Sequence, residues 1–242
     1  MNPETDLKEL TRQLQEALGA NLVAVVLYGS AASGEFREGH SDLNVLCVLK
    51  TIDASQLAKF RPVSRWWWRK GHPAPAVFTL DELRDMAATF PIELLDMRER
   101  HRILFGEDIL SPLQVSMKLH ASQVQRELRT NVIRLRQAFL RSQGQSSELS
   151  DLMIASSSSF AALFRHSLLA LGEEPPLARG SAAERLGALL GLDMAPFGAV
   201  LDLREGKQRL RGADHERVFA AYLDVVTRVA QEMDRRLAAR AF

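Results

Sequence analysis

Two short apolar segments, close together in the sequence, restrict the fold of this chain more than any other feature. Residues 22–28 and 43–49 are nearly unbroken runs of apolar side chains rich in valine and leucine. Such runs are typical of strands that are buried on both faces. Residues 29–40 between them contain three glycines with small residues between, which predicts a loop. We therefore expect a sheet that is covered on both sides.

Helix and strand patterns alternate over the first part of the chain and give way to helices alone after Pro112. Leucines at 7, 10, 14 and 18 predict a first helix. The remaining patterns predict helices at 53–70 and 81–88, strands at 76–79, 92–97 and 102–105, and then helices at 117–139, 148–171, 181–190 and 218–237. We therefore expect an α+β protein, with a small mixed-sheet domain at 1–112 and an all-helical bundle at 113–242.

Composition excludes several classes of protein. The 31 basic and 30 acidic residues give a net charge of +1, which argues against nucleic acid as a partner. Cys47 is the only cysteine, so no intrachain disulfide can form. The first residues lack the pattern of a signal peptide, and no apolar run approaches the roughly 20 residues of a membrane span. We expect a cytoplasmic protein with no membrane partner.

The residues that could bind a ligand or take part in a reaction flank the predicted loop. Gly29 and Ser30 follow the first buried strand, and Ser41, Asp42 and Asn44 open the second. Side chains alternate along a strand, so residues 42 and 44 point to the same face. Oxygen ligands on one strand face can hold a divalent metal against a nucleoside triphosphate. A Gly-Ser turn lets backbone N–H groups and a hydroxyl approach the phosphates closely.

Residues 25–49 resemble the signature of the DNA polymerase β-like nucleotidyltransferase superfamily, which includes kanamycin nucleotidyltransferase and other aminoglycoside adenylyltransferases. In that signature an apolar strand, Gly-Ser and a short loop precede Asp-x-Asp or Asp-x-Glu, and Gly29, Ser30 and Asp42 match it. The resemblance implies a Mg²⁺-dependent transfer of a nucleoside monophosphate from a triphosphate such as ATP to a hydroxyl of a small-molecule acceptor or a protein. Asp42 would bind the metal, and Gly29, Ser30, Ser41 and Asn44 would contact the nucleotide.

The chain departs from the family pattern at the carboxylates. Asn44 stands where the family has its second carboxylate; its amide oxygen can ligate Mg²⁺ but adds no charge, which lowers metal affinity. The expected third carboxylate is absent from residues 76–79, and Glu93 is the nearest substitute, with Asp96 next. In the antibiotic-modifying relatives a carboxylate of the helical domain acts as general base, and Glu127 is the counterpart that the resemblance implies.

Three interpretations of function therefore stay open. The chain is an active nucleotidyltransferase, a catalytically inactive binding or regulatory protein with the same fold, or an interaction protein whose exposed helical face forms a homodimer. The three consecutive tryptophans at 66–68, flanked by Arg65 and Arg69, have two interpretations of their own. They could stack on a base, or one or two of them could lie in the core beside the third strand.

Overall fold

The computed structural model describes residues 3–29, 31–32, 43–142, 145–176 and 179–240. The chain divides into two compact units, Met1–Ser116 and Met117–Phe242. The four strands found among the described residues lie in the first unit, and the described part of the second unit has helices as its regular secondary structure. The α+β class expected from the sequence is confirmed.

The first unit is built on a mixed four-stranded sheet with the strand order β3-β2-β1-β4. Its strands are β1 (Leu22–Tyr28), β2 (Asn44–Leu49), β3 (Ala76–Thr79) and β4 (His101–Phe105). Strand β1 runs antiparallel to both of its neighbours, β2 and β4, whereas β2 and β3 are parallel. A parallel pair needs a crossover connection, which the helix between β2 and β3 supplies.

Four helices accompany this sheet: α1 (Pro3–Leu18), α2 (Ala54–Arg69), α3 (Leu80–Thr89) and α4 (Pro91–Glu99). Alternate side chains of β1 and β2 enter two separate cores. Val25 and Cys47 pack with leucines of α1 and with Trp67 of α2. Val26 and Leu46, on the other face, pack with residues of α3 and α4. Both faces of the central strands are thus covered, as their unbroken apolar sequences predict.

The strand predicted at 92–97 is wrong, because these residues belong to α4. The apolar residues Ile92, Leu94, Leu95 and Met97 fit a short buried strand about as well as one side of a helix. In the structure Pro91 occupies the first helical turn, where its missing N–H costs no hydrogen bond. Pro91, Leu94 and Met97, spaced three apart, are the buried side of this helix.

The second unit is a bundle of the helices α5 (Met117–Arg141), α6 (Ser146–Ala170), α7 (Arg179–Leu190), α8 (Ala195–Arg204) and α9 (Asp214–Arg240). Helix α6 packs against each of the other four. Its serines allow close approach, and the hydroxyls of Ser156 and Tyr222 of α9 lie 2.9 Å apart. Helix α8 is absent from the helices predicted from the sequence. Among the described residues, no helix combines the length and the apolar character needed to cross a membrane.

Candidate functional site

The turn after β1 depends on a glycine. Gly29 has φ +80°, a left-handed conformation that costs other L-residues roughly 1–2 kcal/mol. Its N–H donates to the carbonyl oxygen of Arg100 at 2.9 Å, and its own carbonyl oxygen accepts from the N–H of Ala32 at 3.0 Å. These two bonds fix the direction in which the chain leaves the sheet. The turn places a residue without a side chain where the sequence predicts contact with phosphates.

Asn44 lies beside this turn at the start of β2. It pairs with Tyr28 across the antiparallel ladder. A β-carbon built on Gly29 would lie 3.5 Å from Nδ2 of Asn44, so the amide and the turn are immediate neighbours. Leu43 and Val45 belong to the core beneath α1 and α2, and Asn44 therefore faces the opposite side of the sheet. The structure thus brings together Gly29 and Asn44, two of the residues that the sequence assigns to nucleotide binding.

Strand register adds two residues that the sequence did not indicate. Tyr28 pairs with Asn44 on one side and with His101 of β4 on the other. Residues directly opposite one another on antiparallel strands have β-carbons about 4.5–5.5 Å apart and point to the same face. Asn44, Tyr28 and His101 therefore form a polar row across three strands at the end of the sheet that carries Gly29. Partial burial raises the pKa of the Tyr28 phenol, which keeps it protonated as a hydrogen-bond donor.

His101 is held at one end of this row by contacts from the chain on both sides of β4. Its Nδ1 lies 2.9 Å from the carbonyl oxygen of Arg98, and its Nε2 lies 3.3 Å from Oδ1 of Asp108. Asp108 also accepts hydrogen bonds from the hydroxyl and the N–H of Ser111. The Ser111 hydroxyl bond is the largest cause that lowers the pKa of Asp108 to about 2. A carboxylate that stays ionised thus fixes the orientation of the imidazole.

The other predicted site residues lie on helices or outside the described residues. Ser30, Ser41 and Asp42 lie outside the described residues. Glu93 is an exposed residue in the first turn of helix α4, and so it is not a strand residue as the sequence suggested. Glu127 lies in the second unit on α5, where Nε of Arg126 approaches its Oε1 to 3.5 Å. The roles assigned to these five residues stay predictions.

A metal site would need ligands beyond those that the structure describes. Within the described ranges, no three His, Cys, Asp or Glu side chains are grouped so that they could hold a metal ion. Asn44 offers one neutral oxygen ligand of the kind that Mg²⁺ accepts. The charge that Mg²⁺ requires at this place would have to come from residues such as Asp42.

Two buried groups with nucleophilic atoms are structural. Burial raises the pKa of the Cys47 thiol to about 12, so the reactive thiolate does not form near neutral pH. In the second unit, burial likewise raises the pKa of Tyr222, whose hydroxyl is bonded to Ser156. Neither group is available for covalent catalysis.

Comparison with known proteins supports the fold over the whole chain. The structure is similar to spectinomycin adenyltransferase AAD(9) from Enterococcus faecialis, which was solved with ATP and spectinomycin. The similarity covers 96% of this chain and 100% of that one, with a TM-score of 0.53 and 11% sequence identity. No protein-family model matches the chain, and no curated protein sequence is significantly similar to it. At this identity the similarity establishes a shared fold, while function has to be argued from the site.

Proposed function

We propose that this chain is a metal-dependent nucleotidyltransferase that moves a nucleoside monophosphate from a triphosphate such as ATP to a hydroxyl of a small molecule or protein. One observation carries the proposal: Gly29 adopts a left-handed turn directly against Asn44 on the neighbouring strand. These are the first and last residues of the Gly-Ser and Asp-x-Asn motif. The fold, shared over 96% of this chain with a spectinomycin adenyltransferase, is one that is compatible with this activity.

The proposed chemistry assigns one task to each residue of the motif. Asp42 and Asn44 would hold Mg²⁺, with Glu93 as the third ligand, and the metal would neutralise the charge that develops on the phosphates. The Gly29-Ser30 turn and Ser41 would donate hydrogen bonds to phosphate oxygens. The acceptor oxygen attacks the α-phosphorus, the bond to the β-phosphate oxygen breaks, and pyrophosphate leaves. Glu127 would take the proton from the acceptor hydroxyl.

A second candidate is a protein that keeps the fold and binds a nucleotide but does no chemistry. It is favoured by Asn44, a neutral residue at the place where the family has its second carboxylate. Two-metal catalysis depends on closely placed anionic ligands, so the loss of one charge should slow the reaction strongly. The two candidates differ in how nucleotide binding depends on Mg²⁺ and in whether pyrophosphate is released.

Calorimetric titration of ATP, GTP, CTP and UTP, with Mg²⁺ and then with EDTA, tests the proposal. We expect micromolar binding of at least one triphosphate that weakens tenfold or more in EDTA and in Asp42→Ala. Asp85→Ala is the matched control, because Asp85 is an exposed carboxylate of the same unit on α3. A screen of spectinomycin, aminoglycosides and other polyhydroxylated acceptors for pyrophosphate release then follows. Nucleotide binding that is unchanged in EDTA and in Asp42→Ala would favour the second candidate. The absence of binding would contradict both candidate functions.

Restoring the missing carboxylate gives a further prediction. Asn44→Asp is expected to tighten Mg²⁺-dependent triphosphate binding roughly tenfold, because it replaces a neutral ligand by an anionic one. Gln114→Glu, which places the same added charge at an exposed position of the first unit, should leave the affinity unchanged. Both variants are compared by the same titration across Mg²⁺ concentrations. Weaker binding in Asn44→Asp would mean that the amide itself contacts the nucleotide and that no metal lies beside it.

A further inference from the structure

Helix α2 has a charge composition unlike that of the whole chain. It contains four basic residues, Lys59, Arg61, Arg65 and Arg69, and no acidic residue, whereas the chain as a whole is nearly neutral. Helices on protein surfaces commonly interleave the two signs, which gives ion pairs between neighbouring turns. A helix with one sign of charge keeps a local positive potential that the net charge of +1 conceals.

The structure places most of this charge on one exposed side. Phe60, Val63 and Trp67 form the buried side of α2. Arg61, Arg65 and Arg69 are exposed and spaced four residues apart, which sets their successive α-carbons roughly 6 Å apart along the helix axis. Between them projects Trp68, with 69% of its surface exposed, and Leu57 lies one turn before Arg61 with 45% exposed. We call Leu57, Arg61, Arg65, Trp68 and Arg69 the α2 basic face.

The three arginines are not neutralised by the described part of the protein. None of them forms an ion pair with a described residue, whereas Lys70 pairs with Asp6 at 3.1 Å and lies over the ring of Trp66. Some surface arginines elsewhere have a partner within one turn, as in the pair of Arg84 with Asp81 at 2.7 Å. A row of guanidinium groups without an ion-pair partner among the described residues attracts anions, and their planar forks fit phosphate oxygens in pairs.

We propose that the α2 basic face binds single-stranded nucleic acid, with phosphates on the arginines and a base stacked on Trp68. A positively charged track combined with an exposed aromatic ring is what proteins use to hold single strands without reading their sequence. A membrane-surface helix would instead need a continuous apolar side to enter the lipid. The apolar side of α2 is occupied by the protein core, and Trp68 and Leu57 are its exposed large apolar side chains.

Fluorescence anisotropy with labelled 15-nucleotide oligo(dT) and oligo(U) between 50 and 200 mM NaCl tests this surface. We expect the combined variant Arg61→Gln, Arg65→Gln and Arg69→Gln to weaken binding at least tenfold at 50 mM NaCl. It should also reduce the slope of log affinity against log salt by about 2, which corresponds to three lost phosphate contacts. Glutamine keeps nearly the same helix propensity as arginine, so α2 should remain folded.

The matched control changes the same number of charges elsewhere. Arg134, Arg141 and Arg209 are exposed and form no ion pair with a described residue, and their replacement by glutamine should change affinity less than twofold. Trp68→Ala should weaken binding roughly 5- to 100-fold, whereas Trp68→Phe, which keeps an aromatic face, should retain most of the affinity. Equal loss in both arginine variants would overturn the proposal. So would absence of oligonucleotide binding, including the case in which the protein sediments with phosphatidylcholine–phosphatidylserine vesicles instead.

Discussion

Trp67→Ala is expected to lower the free energy of unfolding of the first unit by about 3 kcal/mol or more, whereas Trp68→Ala should change it by less than about 0.5 kcal/mol. The two tryptophans are consecutive, yet Trp67 has 0% of its surface exposed and Trp68 has 69%. The ring of Trp67 contacts the ring of His72, with the centroids 4.2 Å apart and the ring planes tilted by 36°. Truncation to alanine would leave a large cavity in the core that joins α2 to β1 and β2.

A smaller effect of opposite sign on the free energy of unfolding partly offsets the loss expected for Trp67→Ala. Nε1 of Trp67 is buried without a hydrogen-bond partner among the described residues, and removing an unsatisfied donor recovers about 1 kcal/mol or more. We therefore place the expected loss near the lower end of the usual range of about 3–5 kcal/mol for an aromatic residue truncated in a core.

Urea denaturation followed by tryptophan fluorescence measures the difference between the two variants. All three tryptophans lie at 66–68, so the signal reports on the first unit alone. Trp67→Phe, which leaves a smaller cavity, provides a value if Trp67→Ala does not fold, and we expect about half of the loss. Similar unfolding free energies for Trp67→Ala and Trp68→Ala would contradict the packing seen in the structure.

The central strands were predictable because their sequence carries the signal that burial on both faces produces. Strand β1 has the same first and last residues as the apolar run 22–28. Strand β2 begins one residue after the start of the apolar run 43–49 and ends with it. Short amphipathic elements lack such a signal. The apolar residues of α4 fit either period, and the more informative feature was Pro91 in the first turn. The same argument applies to α8, where Pro196 occupies the first turn.

Some residues of the candidate site can be predicted from a sequence motif, whereas others are identified only by the pairing between strands. Gly29 and Asn44 are close in sequence and belong to a recognisable motif, so their proximity could be predicted. Tyr28 joins them through the register of β1 with β2, and His101 only through the register of β1 with β4, which no local sequence pattern encodes. Long-range register is set by the turns and by which residues face the core. The placement of Ser30, Ser41 and Asp42 stays a prediction.

The last prediction concerns Gly106, the residue that follows β4. Gly106→Ala is expected to lower the free energy of unfolding of the first unit by about 3–5 kcal/mol, and Gly71→Ala by only about 1–2 kcal/mol. Both glycines have positive φ, +80° at Gly106 and +88° at Gly71, so alanine meets the same left-handed penalty at each. The surroundings of the two positions differ, and that difference isolates the contribution of packing.

A β-carbon at Gly106 would lie 2.2 Å from the carbonyl oxygen of Val23 and 3.1 Å from Cα of Ala24. A β-carbon at Gly71 would meet no atom within 4 Å among the described residues beyond its chain neighbours. Both of the atoms near Gly106 belong to the backbone of β1, so the steric clash can be relieved only if the strand itself moves. Because β1 pairs with both β2 and β4, that movement would disturb the ladder that aligns Asn44, Tyr28 and His101. Urea denaturation followed by tryptophan fluorescence compares the two variants on one scale. Equal losses of unfolding free energy would mean that β1 can move away from the added β-carbon without destabilising the unit. Backbone conformation would then be the only reason for glycine at both positions.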